Sequence, residues 1–202
     1  RILNAVGGSS DRGRVERWRR GDDAARETLI SRHYPAIERF FAGKLPAAAA
    51  DLTQQTFLAC LEAADRLENA ASFRAFLYGV ARYVLLRYLR AEGRRAPVET
   101  YTTQPGETTT PTGAIAKREE QLLLLRAMES LPIDQRIALE MRYWESLDSR
   151  EIGEVLRIPQ STVTTRLSRA QARLVERLEA LHSTARIGTE VEAWLRSLSP
   201  QP

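Results

Sequence analysis

Short hydroxyl and guanidinium side chains are concentrated just after Pro159 and could bind nucleic acid. They are Ser161, Thr162, Thr164, Thr165 and Arg166. Hydroxyl and guanidinium groups hydrogen-bond to the edges of bases, and arginines also bind phosphates. Arginines continue along the same stretch at helical spacing, at Arg166, Arg169, Arg173 and Arg177. This pattern indicates a DNA-contacting helix face, although a solvated face whose arginines balance neighbouring glutamates would have the same spacing.

Two consecutive helices are predicted to position these side chains. The sequence "DSRE" begins the first helix with Asp148 and Glu151 as a capping box. The second helix follows Pro159, and its apolar residues step by four and three to form a buried seam. The seam consists of Val163, Leu167, Ala170, Leu174, Leu178 and Leu181. Two short helices joined by a tight turn predict a helix-turn-helix, whose second helix enters the major groove.

The first half of the chain also repeats at helical spacing. A helical unit over residues 22–41 should be interrupted near Pro35, whose ring and missing amide should kink or restart the helix. Asp51 and Gln54 form a predicted capping pair that opens a helix running to about residue 65. A long helix over residues 71–92 follows, and no stretch has the alternation of a β-strand. The predicted fold is therefore all-α.

The long helix has a second basic stripe, made of Tyr83, Arg87, Arg90 and Arg94. An aromatic ring can stack on a base while arginines follow the phosphates of a single strand. A solvated basic face with a packed Tyr83 explains the same spacing, so the stripe alone does not decide between the two interpretations.

A segment rich in Thr, Pro and Gly at 93–113 divides the chain. We interpret it as a flexible linker between two small helical domains, at residues 1–92 and 114–182. Helices are predicted in the second domain at about 115–129, 133–145, 149–156 and 160–182. Residues 183–202 form an extension with a short amphipathic helix around Trp194, which we expect to pack on the second domain or to shield its DNA face.

Composition limits the class of protein. The 202 residues have a formal net charge of +4, a balance that mildly favours an anionic partner. No apolar run is long enough to cross a membrane and no signal peptide is recognisable, so we expect a cytoplasmic protein without membrane insertion. The single cysteine, Cys60, shares an apolar stripe and should be buried. His33 and His182 lie far apart, so we expect no metal, no cofactor and no enzyme activity.

Long motifs on both sides of the linker resemble the extracytoplasmic-function (ECF) sigma factors of bacterial RNA polymerase. The motifs are "WRRGDDAARETLISRHYPAIERFF", "DLTQQTFLACLEA", "SFRAFLYGVARYVLLRYLRAEGRR" and "ESLPIDQRIALEMRYWESLDSREIGEVLRIPQSTVTTRLSRAQARL". The resemblance covers roughly residues 12–180. It implies a promoter-specificity subunit that binds core polymerase, recognises the minus-ten and minus-thirty-five promoter elements and promotes DNA melting. Domain two, at 1–92, would open the minus-ten element, and domain four, at 114–182, would read the minus-thirty-five element.

The resemblance also implies roles for individual residues. Contacts with the minus-thirty-five element would fall on Arg142, Thr164, Thr165, Arg166, Ser168, Arg169 and Arg173. Contacts with the minus-ten element would fall on Leu67, Glu68, Asn69, Tyr83, Arg87 and Arg90. Core polymerase would dock on Asp51, Gln54, Gln55 and Phe57, through its clamp helices, while its flap would meet domain four. For Phe57, a docking role and an ordinary core position are equally consistent with the sequence.

Several residues depart from the pattern of these sigma factors. Tyr83 replaces a common Asn, Gly79 and Arg87 replace common polar residues, Arg157 stands at a turn position that is usually Gly, and Thr164 replaces a frequent Lys or Arg. The promoter sequence therefore does not follow from the resemblance.

Two other classes remain open at this point. A free-standing helix-turn-helix regulator would normally need a dimer to read two half-sites. A sigma-like interaction protein would titrate an anti-sigma factor without binding DNA. An anti-sigma factor is also a partner that the resemblance allows for a true sigma factor.

Overall fold

The computed structural model describes residues 2–63, 72–92 and 123–181, together with Glu192, Leu195 and Arg196. All regular structure in these ranges is helical, which confirms the all-α prediction. The helices are α1 (Ile2–Arg19), α2 (Asp23–Ala42), α3 (Ala49–Glu62), α4 (Phe73–Ala91), α5 (Ile133–Tyr143), α6 (Ser149–Leu156) and α7 (Gln160–Leu181). A 3-10 turn at Pro46–Ala48 precedes α3, and residues 123–129 are also helical.

Two predictions about helix boundaries are wrong. Asp51 and Gln54 do not cap α3, because the helix begins at Ala49 and its N-cap residue, Ala48, makes no side-chain hydrogen bond. The 3-10 turn that begins at Pro46 already directs the chain into the helix before Asp51 is reached, so Asp51 lies within the first turn. There its negative carboxylate lies near the positive end of the helix dipole, which stabilises the helix.

The second error concerns Pro35, which does not interrupt α2. The helix runs through it because Leu29 on one side and Ile37, Phe40 and Phe41 on the other are buried in the same core. Packing on both sides of the proline therefore holds the helix together despite the missing hydrogen bond. The sequence analysis made no prediction about helices before Asp22, and the structure has α1 there.

One apolar cluster joins the two halves of the chain. From the first half it includes Leu29, Ile37, Phe41, Leu77, Tyr78 and Leu85, and from the second half Ile137, Met141, Ile152, Val155, Leu156 and Val163. A second cluster lies within the second half and includes Leu124, Met128, Leu139, Leu174, Leu178 and Leu195. The halves therefore pack against each other. The predicted domain boundaries remain predictions, and the predicted linker at 93–113 lies outside the described residues.

Candidate nucleic-acid interface

A sharp turn of three residues connects α6 to α7. The predicted capping box begins α6: the Asp148 side chain accepts hydrogen bonds from backbone amides, and the Glu151 carboxylate accepts one from the Asp148 amide at 2.9 Å. The helix ends at Arg157, which has left-handed backbone angles (φ 56°, ψ 46°). Gly153 is required here, because a Cβ atom at that position would lie 2.9 Å from the carbonyl oxygen of Ile158. This turn sets α7 against α6 as a helix-turn-helix requires.

One face of α7 is exposed and carries most of the predicted DNA contacts. The opposite face is buried through Val163, Ala170, Leu174 and Leu178, which confirms the predicted seam at these four positions, and Leu167 is half-buried. The exposed residues are Thr164, Thr165, Ser168, Arg169 and Arg173. Hydroxyl groups near the helix N-terminus and two arginines further along can reach base edges and phosphates from one side. The surface therefore has the chemistry and the shape of a major-groove reader.

Arg166 is not on this exposed face. Its Nη1 atom lies 3.2 Å from Oδ2 of Asp134, on α5. The same carboxylate accepts two hydrogen bonds from Arg82, on α4, at 2.8 and 3.0 Å. Arg166 thus pairs inside the protein in this conformation. Arg142, the other predicted contact on this half, is exposed near the end of α5, with its Nη1 atom 3.5 Å from the carbonyl oxygen of Leu147.

Three residues of the second basic stripe are exposed on α4, and Arg94 lies outside the described residues. Tyr83 is 49% exposed, and Arg87 and Arg90 are exposed beside it, so the packed position that the sequence left open for Tyr83 does not apply. The Arg87 guanidinium lies 6.0 Å from the centre of the Tyr83 ring and donates a hydrogen bond of 2.8 Å to Oε1 of Gln55. Leu67, Glu68 and Asn69 lie outside the described residues.

The exposed side of α3 carries the predicted docking residues. Asp51, Gln54 and Gln55 are exposed, and Leu58 stands beside them with 60% of its surface exposed. The spacing of these four residues places them on one helical face. The sequence analysis missed Leu58, although an apolar residue three and four positions after two exposed glutamines was the available signal.

Phe57, in contrast, belongs to the core. It is 7% exposed, and its ring stacks on Tyr34 with centroids 5.7 Å apart and planes 10° apart. The structure therefore favours the core position of the two that the sequence left open. Cys60 is buried as predicted, and burial raises the pKa of its thiol to about 12, so it is an inert core residue.

Comparison with known proteins identifies the family. The profile of Sigma-70 region 2 matches residues 29–95, and that of Sigma-70 region 4 matches residues 121–174. Together they cover more than half of the chain, in the order that the motifs predicted. ECF RNA polymerase sigma-E factors from Escherichia coli K12 and Salmonella typhimurium LT2 are each 28% identical over 178 residues, covering 83% of this chain and 93% of theirs. The chain belongs to the ECF sigma factors.

Further comparisons agree with this assignment. The sigma-E factor of Haemophilus influenzae is 26% identical over 187 residues, covering 85% of this chain and 97% of its own. A solved structure of the sigma factor RpoE in complex with the anti-sigma factor NepR, from Bartonella quintana, has a similar fold, with a TM-score of 0.57 and 20% identity. The alignment covers 77% of this chain and 98% of that one.

The ECF sigma factor is a transcription initiation factor whose partners are core RNA polymerase and promoter DNA. Its family is one of DNA-binding regulatory factors. Within the described ranges, no group of three or more His, Cys, Asp or Glu side chains could hold a metal ion. In the same ranges, no helix is long and apolar enough to span a membrane.

The described residues of the C-terminal extension, Glu192, Leu195 and Arg196, contact the second half of the sigma factor. Leu195 is fully buried in the second apolar cluster, and its carbonyl oxygen accepts a hydrogen bond of 3.0 Å from Nε1 of Trp144. The Gln171 amide donates to the Tyr143 hydroxyl and, at 3.1 Å, to Oε1 of Glu192. Trp194, on which the prediction was centred, lies outside the described residues.

Proposed function

We propose that the exposed face of α7 reads the minus-thirty-five element. The observation that carries this proposal is the separation of the helix into a buried seam and an exposed polar face with Thr164, Thr165, Ser168, Arg169 and Arg173. Arg142 joins them as a backbone clamp from the end of α5. A bidentate contact with a base contributes about 1–3 kcal/mol of discrimination, so Arg169 alone could set the preference at one position.

Arg169→Ala tests this placement. Run-off transcription with purified core polymerase on a promoter library should show relaxed preference at one base of the minus-thirty-five element. Arg177→Ala is the matched control, because it removes the same charge from an exposed position two turns further along the same helix. It should leave base preference unchanged. The slope of the logarithm of DNA affinity against the logarithm of salt concentration should become shallower by at most about one. Unchanged preference in Arg169→Ala would argue against this face as the reader.

On the other half, we propose that α4 binds the melted minus-ten strand. Tyr83 supplies an exposed ring for base stacking, and Arg87 and Arg90 supply cations for the phosphates. The loop with Leu67, Glu68 and Asn69 would hold a flipped base. Tyr83→Leu should reduce promoter opening, measured as permanganate-reactive thymines, whereas Tyr83→Phe should preserve it. Equal opening in both variants would exclude stacking by this ring.

Core polymerase would dock on the face of α3 formed by Asp51, Gln54, Gln55 and Leu58. An exposed leucine surrounded by amide and carboxylate groups can anchor a partner helix, while the polar groups fix its orientation. Phe57 would act by holding the helix in place from the core. Leu58→Gln should weaken binding to core polymerase about tenfold without lowering the thermal midpoint, because the side chain is already in water. Binding unchanged from that of the parent chain would remove Leu58 from the docking face.

The proposed domain boundaries are 1–92 for domain two and 114–182 for domain four. We infer that the protein works in the cytoplasm, where promoter DNA and polymerase are found. We propose that it has no catalytic activity, metal or cofactor of its own. An anti-sigma factor is a candidate partner, supported by the complex in which the similar RpoE fold was solved. Affinity purification of the tagged chain from its native cell, followed by mass spectrometry, would recover a stoichiometric small inhibitor if one exists.

A further inference from the structure

Arg157, in the turn between α6 and α7, has a backbone conformation that glycine would adopt more easily. Its φ of 56° and ψ of 46° are left-handed, and a Cβ atom destabilises that conformation. The hydrogen bonds that end α6 use the backbone amide of Arg157, which donates to the carbonyl oxygens of Gly153 and Glu154. These bonds do not involve its side chain. The turn itself therefore does not explain why an arginine stands here.

The side chain of Arg157 is exposed beside the proposed reading surface. α7 begins three residues later, and residues 159–162 are exposed too, so the exposed surface continues from the turn towards Thr164 and Thr165. The turn is packed closely on α6, because a Cβ atom on Gly153 would lie 2.9 Å from the carbonyl oxygen of Ile158. Arg157 is therefore held in a fixed place next to the N-terminal end of α7.

The N-terminal part of α7 has little positive charge to offer DNA. Between residues 158 and 168 the sequence contains one Lys or Arg, which is Arg166. Its guanidinium lies 3.2 Å from the Asp134 carboxylate, inside the protein. The first exposed arginine of α7 is Arg169, about two and a half turns from the start of the helix. Arg157 supplies a cation at the end of the helix where the sequence otherwise has none that is exposed.

Phosphates lie close to that end when a recognition helix occupies the major groove. The groove is about 12 Å wide, and an α-helix with its side chains is about 10–12 Å across, so the helix fills it from wall to wall. The N-terminal residues of the helix meet the base edges, and a residue just before them lies beside a phosphate-lined wall. A guanidinium binds phosphate oxygens through charge-assisted hydrogen bonds.

We propose that Arg157 binds a phosphate of the minus-thirty-five element and so adds affinity without adding base preference. The strained backbone is retained because this side chain contacts DNA, and the contact fixes the position of the reading face of α7 in the groove. This inference rests on the proposed function of that face.

A salt titration of DNA binding tests the assignment. Core polymerase reconstituted with the full chain is titrated with a fluorescent duplex that carries the minus-thirty-five element preferred in the promoter library and ends before the minus-ten element. One phosphate contact contributes about 0.9 to the slope of log affinity against log salt concentration, so the affinity deficit of Arg157→Gly should shrink about threefold between about 50 and about 200 mM salt. Base preference in the promoter library should be unchanged, because a phosphate carries no sequence information.

Stability measurements separate this role from a structural one. Arg157→Gly should unfold at a higher urea concentration than the parent chain while it binds DNA more weakly, because glycine relieves the left-handed backbone and removes the charge. Arg157→Lys preserves the charge and should keep the salt slope of the parent chain. Ser146→Gly is the matched control, since Ser146 has the other positive φ of a non-glycine residue in the described ranges, at 54°. Its DNA affinity should equal that of the parent chain.

The proposal is refuted if Arg157→Gly binds the duplex as the parent chain does at both salt concentrations. It is also refuted if Arg157→Lys loses as much affinity and slope as Arg157→Gly. A lower urea midpoint for Arg157→Gly with an unchanged salt slope would instead assign the charge to the C-terminus of α6, where it favours the helix dipole. Arg169→Ala in the same holoenzyme identifies which idea has failed. Relaxed base preference in that variant would leave the reading face in place and refute the phosphate contact alone, whereas unchanged preference would refute the reading face.

Discussion

Glu140→Gln should destabilise the protein strongly, because Glu140 balances two buried cations. Its carboxylate, 3% exposed, accepts hydrogen bonds from Lys44 Nζ and, at 2.9 Å, from Arg136 Nε. Lys44 and Arg136 are 2% and 1% exposed. The amide preserves the size of the side chain but removes the carboxylate charge that both cations contact. Removing one partner of a buried ion pair costs about 3–5 kcal/mol, and each kcal/mol lowers the thermal midpoint by about 2–4 °C at this size. The expected decrease is about 6–20 °C.

Thermal and urea unfolding, followed by circular dichroism at pH 7, measure this effect. Glu16→Gln makes the same chemical change in an exposed pair with Arg12 and should cost less than about 1 kcal/mol. Lys44→Met removes one cation but preserves the Glu140–Arg136 pair, so it should cost clearly less than Glu140→Gln. A loss below about 1 kcal/mol for Glu140→Gln, or an equal loss for Lys44→Met, would refute the idea that Glu140 offsets two buried charges.

The pH dependence of Lys44 provides a further check on the same site. Burial lowers its pKa from 10.5 to about 8, against the opposing attraction of Glu140. Between pH 8 and 10.5 the unfolded chain therefore binds the proton that the folded chain has lost, so Lys44 makes the free energy of unfolding rise with pH in that window. Above pH 8 the folded protein increasingly contains a neutral Lys44, and the penalty of Glu140→Gln should be smaller at pH 9 than at pH 7.

Other predictions concern single residues. Arg157→Gly should raise the free energy of unfolding, measured by urea titration, by about 0.5–1 kcal/mol. Left-handed backbone angles cost residues other than glycine about 1–2 kcal/mol, and the larger chain entropy of glycine in the unfolded state cancels part of that gain. The control Arg177→Gly, inside α7, should lower the free energy of unfolding by about 1 kcal/mol. Burial lowers the pKa of His33 below 6.5 despite the nearby Asp11, so the free energy of unfolding should fall as the pH drops below 6.5. His33→Gln should reduce this decline, measured as urea midpoints between pH 5 and 7.5. Cys60 should react with a thiol reagent only as fast as the chain unfolds, and rapid reaction in native buffer would contradict its burial.

Periodic features of the sequence predicted much of this fold. The seam of α7 was correct because each step of three or four residues returns to the same face, whatever the helix packs against. The capping box of α6 was correct for a similar reason, since Asp148 and Glu151 interact within one turn. The resemblance to ECF sigma factors rested on long motifs in order, and comparison with known proteins confirmed it.

Features that depend on distant contacts could not be predicted. Arg166 has the spacing of a DNA contact, and only the fold brings Asp134, 32 residues earlier, within hydrogen-bonding distance of it. Pro35 disrupts helices on local grounds, yet core packing on both sides overrides that tendency. Asp51 and Gln54 have the correct spacing for a cap, but the turn before them had already started the helix. Local spacing fixes which residues share a face, and tertiary packing decides which of them remain available.

Cutting the chain between the halves would not by itself separate them. The side chains of Leu77 and Leu85 and those of Val155 and Leu156 belong to one apolar cluster, so a protease that cleaves within 93–122 should leave a complex of two fragments that co-elutes as one species. Either fragment produced alone would present that apolar surface to water and would tend to aggregate. Dissection of this sigma factor by truncation therefore calls for co-expression of the two pieces.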